Sequence, residues 1–226
     1  DINHWLDFVS PFHHYWLCSE SCRPRRPRAR TVTVNRRRQI LDVALTAFST
    51  SGYHNTSMND IAEALSITKP VVYQYFDSKR ALYLQLLHDV GDDLLNTVTK
   101  AVAGTGDPRL QTERGMVAYF AWVARNKEAF SLLFESSARV DGEFAHIVSE
   151  FEEGAARAIS PFIAVDADGT DVHTFAIGLV GMAEAVSRQV IREQRTFEPE
   201  SLGATVAALA WGGLRSLGQS RSTKPR

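Results

Sequence analysis

Apolar residues recur at helical spacing along nearly the whole body of the chain, and no stretch carries a convincing strand alternation. Ile40, Leu41, Ala44, Leu45 and Phe48 share one face of a first long helix, which Ser51 and Gly52 end. Ile61, Leu65, Ile67, Val72 and Phe76 then have the spacing of two short helices that close one small core across a tight turn. From Lys79 a longer helix runs through Leu82, Leu86, Leu87, Val90, Leu94, Leu95 and Val98 and stops before Gly104-Thr105-Gly106. Further helices are predicted over about 109–124, 127–138, 141–164, 171–195 and 199–218, separated by polar breaks such as Arg125-Asn126. This pattern reads as an all-α fold: an N-terminal three-helix unit with a helix-turn-helix, then a larger C-terminal helical body.

The helix starts carry their own signals. Ser57 is placed to accept a backbone N–H as N-cap, and Asp60 stands three residues on, where a capping box wants an acid. Pro70 belongs at the start of the next helix, with either Lys69 or Thr68 as N-cap, because its missing N–H is an orphan there anyway. Asp107-Pro108 is the same kind of start for the helix that follows the glycine loop. Gly104-x-Gly106 itself is not a dinucleotide motif, since no strand precedes it and no third glycine follows.

A helix-turn-helix points to DNA. The exposed residues of its second helix, Thr68, Lys69, Pro70, Val71 and Gln74 with Tyr73 and Tyr75 beside them, are the candidates for contact. Gln pairs bidentately with adenine, Lys reaches guanine, and Val71 offers an apolar contact to a thymine methyl; Gln74 and Val71 are read as the sequence-reading pair. Tyr75 fits core packing equally well. Thr56 and Ser57 stand at a helix start, where hydroxyls and free N–H groups suit a phosphate oxygen.

Charge sharpens this reading. The 226 residues carry a net charge of only -1, but no acidic residue lies between Glu20 and Asp42, while Arg23, Arg25, Arg26, Arg28, Arg30, Arg36, Arg37 and Arg38 fall there. Residues 23–34 read as a basic linker or as an arm that neutralises phosphates or enters the minor groove, and Arg36 and Arg37 carry the positive face into the first helix. The aromatic leader, residues 1–20, is broken by Asp7, Pro11, His13 and His14, is too short to span a bilayer, and is read with the arm as a mobile N-terminal extension, 1–33. Cys18 and Cys22 give neither a disulfide framework nor a persuasive metal site, so the expectation is a reducing cytoplasm, no metal and no cofactor. A 44% hydrophobic content is enough for a core shared by a DNA-binding domain, 34–79, and a second domain, 80–218, before a polar tail, 219–226.

From about Arg36 to Leu87 the chain resembles the TetR family of transcription regulators. The likeness rests on an aromatic before Gly52-Tyr53, then Thr56-Ser57, Asp60-Ile61-Ala62, Lys69, Tyr73, Phe76 and Ser78-Lys79. The resemblance implies that Tyr73 and Lys79 hydrogen-bond phosphate, and that the helix from Lys79 transmits ligand state to the DNA-binding unit. Ser66 stands where the family usually has glycine, which places a non-glycine residue in a left-handed turn. Pro70-Val71 replaces the common Gly-Thr, so one phosphate-binding hydroxyl is absent.

Islands such as Leu133-Phe134-Glu135, Gly178-Leu179-Val180-Gly181-Met182 and Ala210-Trp211-Gly212-Gly213-Leu214 also resemble the actinobacterial regulators of fatty-acid synthesis within this family. That likeness implies a long-chain acyl-CoA effector in a tunnel through the C-terminal domain. The alternative is a repressor of an efflux or catabolic operon that answers to an aromatic or other lipophilic compound. Phe120, Phe130, Phe134, Phe144, Phe151, Phe175 and Met182 are the expected pocket residues, although rings at these positions fit a packed interior as well as a hollow one.

The last two helices are rich in glycine and alanine, with Leu179, Met182, Val186, Leu209, Gly213 and Leu214 as expected dimer contacts. One chain could bury these faces in itself; the resemblance implies a homodimer through a four-helix bundle, set on a near-palindromic operator. Catalysis is not expected: the histidines are scattered, and Asp92-Asp93 and Glu152-Glu153 diverge around their helices as solvated faces.

Overall fold

The computed structural model describes residues 27–134, 142–163 and 169–221, with side-chain surroundings defined for 35–134, 144–163 and 172–214. The aromatic leader, Cys18, Cys22 and the first part of the basic arm lie outside the described residues. Among the described residues the chain is helical throughout: α1 (Pro27–Asn55), α2 (Met58–Ala64), α3 (Lys69–Tyr73), α4 (Lys79–Val102), α5 (Pro108–Arg125), α6 (Lys127–Phe134), α7 (Gly142–Ile159), α8 (Gly169–Arg192) and α9 (Pro199–Arg221). The first helix thus begins inside the segment read as an extension, and α9 runs past residue 218 into the expected tail. A short 3-10 turn, Ser160–Phe162, follows α7, because Pro161 cannot donate the next helical hydrogen bond.

Local chemistry fixes the ends. Gly52 leaves the helical region at φ 78° and ψ 166°, so α1 breaks there and only one further turn reaches Asn55. Asp107 caps α5 by accepting from the amides of Arg109 and Leu110. Both α2 and α8 close in Schellman motifs without glycine. Ser66 (φ 53°) donates to the Glu63 carbonyl while Ile67 donates to Ala62; Gln194 (φ 52°) and Arg195 repeat the pattern on Ile191 and Val190.

Ser66→Gly is therefore expected to stabilise the protein. Relief of a left-handed residue gains about 1–2 kcal/mol and the freer unfolded chain returns part of it, for a net of about 0.5–1 kcal/mol. A midpoint of chemical denaturation that stays put or falls in this variant would show that Ser66 is not strained.

One core runs through both halves. Ile40, Ala44 and Phe48 of α1, Ile61 of α2, Val72 of α3 and Leu82, Tyr83 and Leu87 of α4 join Phe130, Leu132 and Leu133 of α6 and Phe144 of α7 in a single cluster. Its centre is aromatic: Phe144 meets Tyr53 edge-on at 4.7 Å and Tyr83 at 4.8 Å, and Tyr83 meets Phe48 at 5.0 Å. A polar tie crosses the same boundary, from Thr46 Oγ1 to Glu128 at 2.8 Å, and within the larger half Trp122 Nε1 donates to Asp93 at 2.7 Å. A second cluster joins Met116 and Phe120 of α5 to Ala183 of α8 and Val206 and Ala207 of α9. Residues 172–192 of α8 are long and apolar enough to cross a membrane by length and composition alone. The ion pair of buried Glu184 with half-buried Arg188 on this helix is costly in a bilayer.

Candidate nucleic-acid interface and effector cavity

The helix-turn-helix is built by local hydrogen bonds. Asp60 N–H donates to Ser57 Oγ at 3.2 Å and Ser57 N–H donates to Asp60 Oδ2 at 2.8 Å, the expected capping box. The Ser57 backbone bond holds the Asp60 carboxyl below its ordinary range, and the Ser57 hydroxyl adds to this. A carboxyl lowered in the folded state contributes stability above its unfolded value, and that contribution is lost as pH falls through the folded one. Asp60→Asn should therefore flatten the acid limb of the stability–pH profile; an unchanged limb in urea denaturation between neutral and acid pH would argue against the box.

Thr68, the second alternative of the sequence reading, is the N-cap of α3, with Lys69 and Pro70 as its first residues. Thr68, Lys69, Pro70, Tyr73 and Gln74 are all exposed, and Lys69 Nζ lies 5.9 Å from the Tyr73 ring centre. Val71 is half-buried. Tyr75, which fitted either role, packs against the core. Arg36 is half-buried on α1, while Arg37 lies across the Phe76 ring at 4.9 Å and donates to Gln85 Oε1 at 3.2 Å. That pair ties the start of the DNA-binding unit to α4.

Two expected phosphate contacts have structural duties. Thr56 is only 3% exposed, and its hydroxyl faces the carbonyls of Gly52 at 2.9 Å and Ala47 at 3.2 Å. Its side chain closes the break after α1 instead of facing DNA, a correction that follows from the carbonyls left open by the Gly52 kink. Lys79 Nζ donates to the carbonyls of Tyr53 at 2.8 Å and Thr56 at 3.0 Å and sits 4.3 Å from the Tyr53 ring centre. An ammonium has three donors, so one remains for a phosphate.

A cavity opens between α4, α5, α7 and α8. Its volume of about 110 Å³ is several times the ~15 Å³ that a single water needs, so the helices leave a hollow rather than a packed interior. Leu94, Leu95, Val98 and Val102 of α4 form one wall, with Met116, Phe134, Phe151, Phe162, Leu179 and Ala183 among the rest. Of the expected pocket residues, Phe134 and Phe151 line it. Phe120, Phe130 and Phe144 are fully buried in the core, and neither Phe175 nor Met182 reaches the cavity. The α4 wall was legible only as an apolar stripe, which looks the same whether it meets side chains or space.

On α8 and α9 the larger residues turn inward. Leu179 lines the cavity, Met182 and Val186 pack on the second cluster, and Leu214 is buried. Of the expected dimer contacts only Leu209, 70% exposed, and Gly213 lie outward, beside exposed Ile177, Gly178, Gly181 and Ala185 of α8 and Ala204, Ala208 and Gly212 of α9. The face that presents itself is thus made mostly of small residues around Ile177 and Leu209, because most of the other large residues on these helices turn inward.

A capped two-helix reading unit on a core continuous with a hollow helical body is the architecture of a DNA-binding transcription regulator. Residues 40–86 match bacterial regulatory proteins of the tetR family, and residues 108–213 match the tetracyclin repressor-like C-terminal domain. The chain is 30% identical over 190 residues to the HTH-type transcriptional activator FasR of Mycolicibacterium smegmatis, covering 83% of this chain and 86% of that one. It is 32% identical over 114 residues to the HTH-type transcriptional repressor KstR2 of Rhodococcus jostii, covering 50% and 52%. Among solved structures, a TetR-like transcriptional regulator from Rhodococcus sp. RHA1 superposes with a TM-score of 0.69 at 28% identity, over 84% of this chain and 99% of that one. FadR from Bacillus subtilis in complex with stearoyl-CoA shares the fold, with a TM-score of 0.68 at 14% identity over 76% and 96%. The chain belongs to the TetR family, whose members are DNA-binding transcriptional regulators and not enzymes.

Proposed function

We propose that this regulator acts in the cytoplasm as a homodimer on a near-palindromic operator, and that a long-chain acyl-CoA in the cavity between α4, α5, α7 and α8 sets its affinity for DNA. The observation that carries the reading is the position of α4. This helix opens at Ser78, directly after the recognition segment, and four of its residues form a wall of the cavity. A ligand that favours one angle of α4 changes the separation of two recognition helices, and an operator with fixed half-site spacing selects among those separations. By linkage, DNA then alters effector affinity by the same factor.

An apolar lining supports a lipid chain as effector, and the stearoyl-CoA complex of FadR, which shares the fold, supports the acyl-CoA class. The exposed small-residue faces of α8 and α9 support pairing with a second copy, since glycine and alanine let backbones approach closely. On the DNA side, Lys69, Gln74 and Val71 read bases, while Ser57, Tyr73, Lys79, Arg36 and Arg37 supply or position phosphate contacts.

The decisive experiment titrates the protein onto fluorescent DNA from its own promoter region, at stated salt, with and without stearoyl-CoA. A change of about tenfold in affinity, equivalent to about 1.4 kcal/mol of coupling, is expected. Specific binding that ignores stearoyl-CoA would keep the regulator and discard this effector.

A further inference from the structure

Helix α4 makes two sets of contacts, and a glycine separates them. Ties to the DNA-binding unit come before residue 91. Lys79 Nζ donates to the carbonyls of Tyr53 and Thr56, and Arg37 of α1 donates to Gln85 Oε1, whose Nε2 in turn donates to Asp89 at 2.7 Å. Ties to the larger half come after it: Asp93 accepts from Trp122 of α5, and Leu94, Leu95, Val98 and Val102 wall the cavity. Gly91 is buried between the two sets.

The helix runs unbroken from Lys79 to Val102, so this glycine serves no turn. A Cβ at 91 would stand 2.8 Å from Cδ2 and 3.2 Å from Cε2 of Phe151 on α7, which puts the ring directly on the backbone of α4. The same ring lines the cavity. Glycine keeps the widest choice of backbone angles and is the weakest position in a helix interior after proline. The softest point of α4 thus lies where its two sets of contacts divide, under a ring that faces the cavity.

We propose that α4 is two arms that bend relative to each other at Gly91, the first moving with the helix-turn-helix and the second with α5 and the cavity wall. Gly91 is then a positioning residue for the effector response, and the proposal rests on the reading of the cavity as an effector site. Space for Phe151 by itself would also call for glycine here. A smaller side chain at 151 removes the need for space and leaves the need to bend.

Phe151→Val keeps a γ carbon, which in Phe151 lies 3.6 Å from the added Cβ, and drops the ring atoms that a methyl group at 91 would strike. Gly91→Ala placed on top of it then changes the backbone alone. Phe151→Val and Gly91→Ala/Phe151→Val are expected to bind promoter DNA alike and stearoyl-CoA alike, each measured singly. The effect of stearoyl-CoA on DNA affinity should fall about fivefold from the first variant to the second. Equal coupling in the two overturns the hinge and leaves Gly91 as room for Phe151; coupling already lost in Phe151→Val overturns it in favour of α7. A second measurement needs no effector. In native-state hydrogen exchange of the unliganded wild type, the amides of residues 92–95, whose helical bonds reach back to or across Gly91, should exchange about tenfold faster than those of 84–87 and 98–101, and the difference should vanish in the double variant. Uniform protection along α4 overturns the hinge. Fast exchange at 92–95 in a protein that does not bind stearoyl-CoA keeps the hinge and sinks the acyl effector, so the two failures are told apart.

Discussion

Gly203→Ala is expected to lower the stability of the protein by about 3 kcal/mol, toward the upper end for an added methyl group in a packed interior. A Cβ at this position would lie 2.6 Å from Val117 Cα and 2.8 Å from Val117 N. Both atoms belong to the backbone of α5, so no rotamer change relieves the clash and the two helices must separate. Contact between α5 and α9 is the most extensive between any two elements among the described residues, so the displacement propagates along both. It also moves Met116 and Tyr119, which line the cavity from the same helix. Gly154→Ala is the control: a Cβ there meets nothing within 4 Å, and a helical glycine replaced by alanine gains about 0.5–1 kcal/mol. Urea denaturation of the two variants should give shifts of opposite sign. Equal midpoints would mean that α5 and α9 do not depend on this close approach.

The second large effect is expected at Phe144. Its ring is 0% exposed and stands between Tyr53 and Tyr83, so Phe144→Ala should cost about 3–5 kcal/mol. The residue also joins the halves of the molecule. Seven positions on along α7, Phe151 lines the cavity, and its ring would lie 2.8 Å from a Cβ placed on Gly91 of α4. In the other direction, Tyr53 offers its carbonyl and its ring to Lys79, which also holds the Thr56 carbonyl at the entrance to α2. Helix α7 thus packs on Tyr53 and Tyr83 through Phe144 and on the cavity through Phe151, a second route beside α4. Phe144→Leu, which keeps an apolar side chain of moderate size, should preserve effector affinity and reduce the effect of effector on DNA binding severalfold. Coupling that survives at wild-type strength in a folded Phe144→Leu protein would leave α4 as the sole connection.

Much of the DNA-binding unit could be read directly because its determinants are local. The capping box needs only Ser57 and Asp60 three residues apart, and Pro70 is restricted to a helix start by its own ring. Ser66 was legible as a left-handed residue only through the resemblance, which puts glycine at that turn. Thr56 misled the reading for the opposite reason. A hydroxyl at a helix start looks the same in sequence whether it faces phosphate or the carbonyls freed by a kink, and the Gly52 conformation decides between them.

The helical class, the order and most of the ends of the helices, and the reading unit follow from residues near one another in the chain, since periodicity and capping act within a few positions. Which aromatic rings bound a hollow and which fill the core was decided only by the tertiary structure. Phe134 and Phe151 face the cavity while Phe130 and Phe144 do not, although all four sit on apolar faces of their helices. Each helical step turns a side chain by roughly 100°, so small differences in how neighbouring helices pack select the residue that meets space. The same choice of phase turned Leu179 to the cavity, buried Leu214 and left glycine and alanine outward on α8 and α9. Side-chain identity states what a surface is made of; the packing of helices remote in sequence states which way it faces.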